Sequence, residues 1–261
     1  ANDDPDMRKG MMGLHASFTL SDSTLALCRE NTPEGVGFHI HVAEGMADVY
    51  DSLNKYGKRV INRLHDNGIL GEKTITGHCI HVNGIEMDIL KETGTMIVHN
   101  PESNMGNAVG CPPTIELMRR GLLVGLGTDG YTNDMFESMK VANCLHKHHL
   151  CDPTVAWAEV PQMLFENNAA IGARYFKKKL GVLEEGAAAD IIVVNYDPLT
   201  PMTADNCNGH MLFGMMGHDV VTTIIDGKVR MKDRELVGID GEAILAKCRE
   251  QSNDLWSRIN A

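Results

Sequence analysis

Short apolar runs punctuated by glycine alternate, along the first two thirds of this chain, with longer segments whose apolar residues recur every three or four positions. The first pattern predicts strands and the second amphipathic helices, and their alternation predicts βα units around a parallel sheet. Five strands are predicted before residue 180, over 10–15, 36–41, 73–79, 95–99 and 122–128. Between them, Ser21-Asp22-Ser23-Thr24 caps a helix through Glu30, 48–67 reads as one long helix, and 85–92 is a helix with Gly94 just beyond its end. Residues 114–120 form a short helix closed by Gly121, placed where a left-handed residue ends a helix. Segments 136–149 and 154–176 extend the helical layer.

The character changes at Gly181. Leu183 to Val194 runs from a turn into a short buried strand, and 220–225, Asp226-Gly227 and 228–231 form a hairpin signal around an Asp-Gly turn. Residues 241–260 read as a closing amphipathic helix. The pattern divides the chain into 1–180, 181–240 and 241–261.

Composition narrows the class. An apolar fraction of 43% and a charged fraction of 23% are those of a soluble globular protein. A formal net charge of −11 argues against nucleic acid or an anionic membrane as partner, since both demand a basic footprint. No apolar run approaches the ~20 residues that span a bilayer. The seven cysteines are odd in number, scattered and without a Cys-x-x-Cys pair, which predicts reduced thiols and a cytoplasmic protein. Sixteen methionines against 5% aromatic residues predict a core filled by flexible thioethers.

The candidate chemistry sits at the ends of the predicted strands, which is where a (β/α) barrel enzyme carries it. His41 and Glu44 close the second strand, His78 the third and Asp129 the fifth. A carboxylate beside a histidine can move protons at an activated water, and a hard oxygen ligand opposite imidazoles suits zinc or iron. His39 shares a face with His41, because strand side chains alternate, so His39-x-His41 as a metal pair is the rival reading. The structural alternatives are a core histidine, a surface glutamate and an aspartate capping the next helix. His146-x-His148-His149 reads as one solvated helix face, and Cys79 as a packed thiol.

The order His-x-x-Glu, His, Asp on successive strand ends resembles the metal-dependent amidohydrolase superfamily, in its deaminase and chlorohydrolase branch. The strings GLHASFTLSD (13–22), FHIHVAEG (38–45), HNPESNMGNAVGCPP (99–113), GLGTDGYTNDMFESMKVAN (125–143) and GHMLFGMM (209–216) are similar to SsnA-type aminohydrolases. The resemblance implies an α/β fold: part of a (β/α)8 TIM-type barrel, strands four to eight, followed by part of a small β-sandwich. The family opens with a His-x-His pair on its first strand, and nothing upstream of Gly37 supplies it. A full barrel also takes ~250 residues by itself, and Ala1 is not an initiator Met. The expectation is therefore the C-terminal part of a longer amidohydrolase, inactive alone.

For the site, the resemblance implies one divalent metal ion, zinc first and iron as the alternative, held by His41 and Asp129. No lysine stands at the fourth-strand end, where binuclear members carry a carboxylated lysine. Glu44 is implied as acid/base, His78 as the residue that steadies hydroxide and oxyanion, and Asp129 as a proton acceptor. His15, Glu44 and His81 are the implied substrate contacts, and His99 to Asn104, similar to the H-N-P-x-S-N segment, shapes the pocket and braces its loop. The implied reaction is hydrolysis of a C–N bond in a nitrogen heterocycle, releasing ammonia. The alternatives are a cyclic-amide hydrolase or an inactive interaction subunit. Expected partners are a small heterocyclic substrate, the missing N-terminal segment and, after it, a second copy in a homodimer.

Overall fold

The computed structural model describes residues 7–259, so Ala1 and the last predicted helical residue, Asn260, lie outside them. The chain forms two compact units: Ala1–Ala187 with Pro198–Gly217, and Ala188–Asp197 with His218–Ala261.

In the first unit β1 (Met12–Ala16), β2 (Phe38–Val42), β3 (Ile75–His78), β4 (Met96–His99) and β5 (Val124–Leu126) form a parallel sheet in sequence order. All five predicted strands are present. Helices cover the sheet: α1 (Asp22–Glu30), α2 (Met46–Tyr56), α3 (Val60–Asp66), α4 (Gly84–Glu92), α5 (Pro101–Gly106), α6 (Thr114–Arg119) and α7 (Met135–Leu150). The buried layer includes Ile40, Val42, Leu64, Leu90, Ile97, Leu117, Val124 and Met139. Ser21 caps α1 as expected, and Asn83 with Glu86 forms a reciprocal cap on α4.

The segment 48–67 is two helices. Gly57 takes a left-handed φ of 66° and ends α2, and the Ser52 hydroxyl holds the Lys58 carbonyl in the turn at 2.8 Å. The buried Glu86 carboxylate accepts the Ile61 amide at 3.1 Å, inside the first turn of α3. Residues 154–176 are helical only from α8 (Glu159–Gln162) through a wide turn at Met163–Asn167 to α9 (Asn168–Ala173). The wide turn lets two consecutive asparagines reach β5: Asn167 donates to Val124 O, while Asn168 pairs with both the amide and the carbonyl of Leu126.

Two buried charged side chains tie the strand ends to the helices. Arg63 stacks on Tyr56, 3.6 Å from its ring centre, and donates to the Ser17 carbonyl, the Ser17 hydroxyl, the Leu20 carbonyl and Asp22. Asp48 accepts the Phe18 amide and the Ala43 amide, each at 2.9 Å, which joins the loops after β1 and β2. A further helix, α10 (Cys207–Phe213), was not legible in the sequence, which had assigned 181–240 to the sandwich. It packs in the first unit, with Leu212 buried, Phe213 edge-on to Trp157 and the Gly217 amide donating to Asp134.

In the second unit β6 (Ile191–Val194), β7 (Val220–Ile225), β8 (Lys228–Lys232) and β9 (Glu235–Leu236) form an antiparallel sheet in that order. Asp226 and Gly227 turn the predicted hairpin with φ of 48° and 75°, the two positive angles that a two-residue hairpin loop requires. The helix α11 (Gly241–Ile259) has no buried residue. Among the described residues, no helix is long and apolar enough to cross a membrane, and the seven cysteines are free.

Candidate metal centre at the strand ends

The parallel register brings the ends of β2 and β3 side by side, with His41 opposite Gly77 and Val42 opposite His78. Gly77 carries no side chain, and a Cβ there would sit 3.7 Å from His41 Nδ1. Three positions at or just past the strand ends adopt left-handed backbone without being glycine: Ala43 (φ 44°), His78 (φ 71°) and Asp129 (φ 54°). Such angles are uncommon for these residues and persist only where surrounding contacts impose them. Here the contacts are visible. The Ala43 amide is held by Asp48 and its carbonyl accepts the His81 amide, and the Asp129 carboxylate accepts its neighbour's Gly130 amide at 2.7 Å.

His78 is fully buried at the centre of the cluster. Its Nε2 lies 3.0 Å from His41 Nδ1 and 3.6 Å from both Glu44 Oε2 and Asp129 Oδ2. His41, Glu44 and His78 each offer a ligand atom within 4.8 Å of the others. Burial, then the nearby His78 ring, lowers the His41 pKa, against the pull of Asp129 and Glu44, so His41 keeps a free lone pair at neutral pH. Burial pushes Asp129 upward, but hydrogen bonds from Ser103 and Gly130 and the two imidazoles outweigh it, and the carboxyl rests below its ordinary value.

Two carboxylates aimed at one ring nitrogen, with a second lone-pair nitrogen beside it, form a donor set that a divalent cation satisfies. The residues present therefore fit a metal ion. The helix α5 braces the cluster from one side: Ser103 donates to Asp129 Oδ2 at 2.7 Å, Asn104 Oδ1 meets His78 Nδ1 at 2.8 Å, and Asn107, at the helix end, donates to Glu44 Oε1 at 3.1 Å. Sequence reasoning assigned this segment to the pocket but did not find the individual pairs. The H-N-P-x-S-N string was the available signal.

The other named residues fall around this centre. His15 stands with its ring 5.8 Å from that of His41, and its Nδ1 pairs with Thr19 at 2.8 Å. His39 lies on the same face, its ring 6.4 Å from His41, and burial lowers its pKa. His81 instead hydrogen-bonds the Val109 carbonyl at 2.9 Å. His146 is not solvated as expected: it is buried against His99, rings 4.9 Å apart, and pairs with the Cys111 thiol. Burial lowers its pKa to about 4 and raises that of Cys111 to about 12, so the pair is a neutral hydrogen bond and not a thiolate–imidazolium nucleophile.

Known proteins resemble this chain over most of its length. The profile of the amidohydrolase family matches residues 3–230. The chain is 36% identical over 261 residues to a 5'-deoxyadenosine deaminase of Methanosarcina mazei, covering 97% of this chain and 59% of that protein. It is 38% identical over 238 residues to a 5-methylthioadenosine/S-adenosylhomocysteine deaminase of Thermococcus onnurineus, covering 89% of this chain and 55% of that one. The chain thus spans little more than half the length of these relatives. Among solved structures it is similar to an adenosine deaminase from Xanthomonas campestris with bound zinc, with a TM-score of 0.82 and 27% identity over 95% of this chain and 57% of that one.

Proposed function

This chain belongs to the amidohydrolase family, and from that premise we propose that the cluster of His41, Glu44, His78 and Asp129 is the site of a metal-dependent deaminase acting on a purine nucleoside. The observation that carries the reading is the convergence of three side chains, His41, Glu44 and Asp129, on Nε2 of the fourth, His78, with the four coming from three different strand ends. The five strands correspond in this reading to strands four to eight of an eight-stranded barrel, and β6–β9 to part of a small sandwich. Similarity to a zinc-bound adenosine deaminase supports that assignment and favours zinc as the ion.

His41 and Asp129 would hold the ion, beside His78 Nε2. The ion would supply Lewis acidity, which lowers the pKa of a water towards ~7. Glu44, part-buried beside His78, would take a proton from the attacking water and pass it to the adjacent ring nitrogen or the leaving amine. Its carboxylate is kept in place by Asn107, which donates to the other oxygen. Asp129 accepts a proton on the side facing His78, and the Ser103 hydroxyl and Gly130 amide keep it ionised for that task. His78 orients the attacking oxygen and stabilises charge at the tetrahedral carbon. His15, beside His41 on the open face of the sheet, contacts substrate, while His81 supports the wall through Val109.

The test is ammonia release from 5'-deoxyadenosine, 5-methylthioadenosine, adenosine and a cyclic amide by the zinc-loaded full-length protein that carries this chain. The proposal expects ammonia from at least one of the nucleosides and no opening of the cyclic amide. Opening of the cyclic amide with no deamination of any nucleoside would assign the site to the other reaction.

A further inference from the structure

We propose that Asp48 is a positioning residue for Glu44: it holds the turn at Ala43 that brings the Glu44 carboxylate round to the side of the sheet on which His41 stands. The inference rests on the reading of Glu44 as the acid/base of that site. Along an extended strand side chains alternate, so His41 would share a face with Ala43, and Glu44 with Val42. Phe38, Ile40 and Val42 are all buried on that second face. A strand continued through Ala43 would therefore carry Glu44 away from His41. Instead Ala43 takes a left-handed φ of 44°, and the alternation breaks. Glu44 Oε2 then lies 3.6 Å from His78 Nε2, the atom that His41 Nδ1 meets at 3.0 Å.

Alanine does not favour this turn, because left-handed backbone crowds Cβ against the following carbonyl oxygen. Surrounding contacts must impose it. Asp48, buried in the first turn of α2, accepts the Ala43 amide on Oδ2 at 2.9 Å. Its Oδ1 accepts the Phe18 amide at 2.9 Å, so the carboxylate is itself fixed from the loop after β1. On the other side, the Ala43 carbonyl accepts the His81 amide at 3.0 Å, and Arg59 donates to the His81 carbonyl. An acidic residue at the third position of a helix ordinarily reaches back to the amide of the N-cap. Here the N-cap is Gly45, and Asp48 directs both oxygens to amides that lie outside α2. Its carboxylate serves the turn before Glu44.

The experiment uses the full-length protein that carries this chain. A crystal structure of metal-free Asp48→Ala should show residue 43 outside the left-handed region and the Glu44 carboxylate withdrawn from His78. In the zinc-loaded protein, Asp48→Ala should lower kcat by roughly 10–100-fold with zinc content unchanged. In the Glu44→Gln background it should lower kcat by no more than about twofold, since no acid/base remains to be placed. A role in stability alone would give the same loss in both backgrounds. Adding Ala43→Gly to Asp48→Ala should recover most of the lost turnover, because glycine enters left-handed backbone readily. A residue 43 still left-handed with Glu44 unmoved overturns the proposal, as do equal losses in both backgrounds when Glu44→Gln is itself slow. Where Asp48→Ala does not fold, the Ala43→Gly/Asp48→Ala protein decides, and turnover as low there as in Glu44→Gln overturns the proposal. Full turnover in Glu44→Gln rejects the acid/base reading alone, and the crystal structure then decides whether Asp48 holds the turn.

Discussion

The two units of this chain treat apolar and charged side chains in opposite ways. In the first, side chains from all five strands are buried, and charged or polar groups such as Arg63, Asp48, Glu86 and His78 are buried with partners supplied for each. In the second, the one buried hydrophobic among the described residues is Ala188, and Ile192, Val193, Ile244, Leu245 and Trp256 are all exposed. Left-handed backbone at Ala43 and Asp129 is held in the first unit by hydrogen bonds from buried or neighbouring groups. The chemistry therefore belongs to the unit whose interior can fix side chains against each other, and substitutions should have unequal effects in the two.

The largest effect is expected at Arg63. Arg63→Ala removes four hydrogen-bonded partners and a stacked ring from a buried position, so chemical denaturation should show the first unit destabilised by ~3–5 kcal/mol. A loss near zero would mean that the strand ends are not held from this side.

Acid should act next. Burial, with His149 nearby, holds the His146 pKa down at about 4, where the ordinary value is 6.5. Unfolded, this histidine takes up a proton below about pH 6.5; folded, it does so only near 4. Its contribution is thus complete above pH 6.5 and lost as pH falls towards 4, by up to ~3 kcal/mol. Denaturation midpoints should fall over that window and do so less steeply in His146→Gln. Equal slopes in the two proteins would assign the acid sensitivity elsewhere.

Glu44→Gln keeps the shape of the side chain and removes its transferable proton. Turnover of the zinc-loaded protein should fall by ~10²-fold, equivalent to ~2.7 kcal/mol, with zinc content unchanged. Parallel loss of zinc and activity would make Glu44 a ligand and not an acid/base. The smallest effect is expected in the second unit, where Trp256→Ser, at a residue 58% exposed, should change stability by no more than ~0.5 kcal/mol. A larger loss there would erase the contrast between the units.

Much of this was legible in the sequence, for reasons that differ between elements. Strands β1–β5 declare themselves by apolar runs, and the Asp-Gly turn declares the hairpin because it needs two positive φ angles. His41, Glu44, His78 and Asp129 were legible because each stands at a strand end. The split at Gly57 was missed because an isolated glycine inside a helical pattern is tolerated, and here the Ser52 bond to Lys58 and the buried Glu86 from α4 decide the matter. Local sequence also does not announce that Ser103, Asn104 and Asn107 each select one member of the cluster, since those pairs exist only once β4 and α5 are docked. The left-handed backbone at Ala43, His78 and Asp129 carries no glycine to mark it. His146 looked like one of three solvated histidines, and only the packing of α7 on β4 buries it.

The central claim is that His41 and Asp129 hold a divalent ion at the mouth of the first unit. Equilibrium zinc binding to the wild-type chain, to His41→Ala and to Asp129→Ala, with Trp256→Ser as a control in the second unit, tests it most directly. The account predicts one zinc per chain in the wild type and the control, and loss of that zinc in both site variants. Zinc bound equally well by all four proteins, or by none of them, would contradict it.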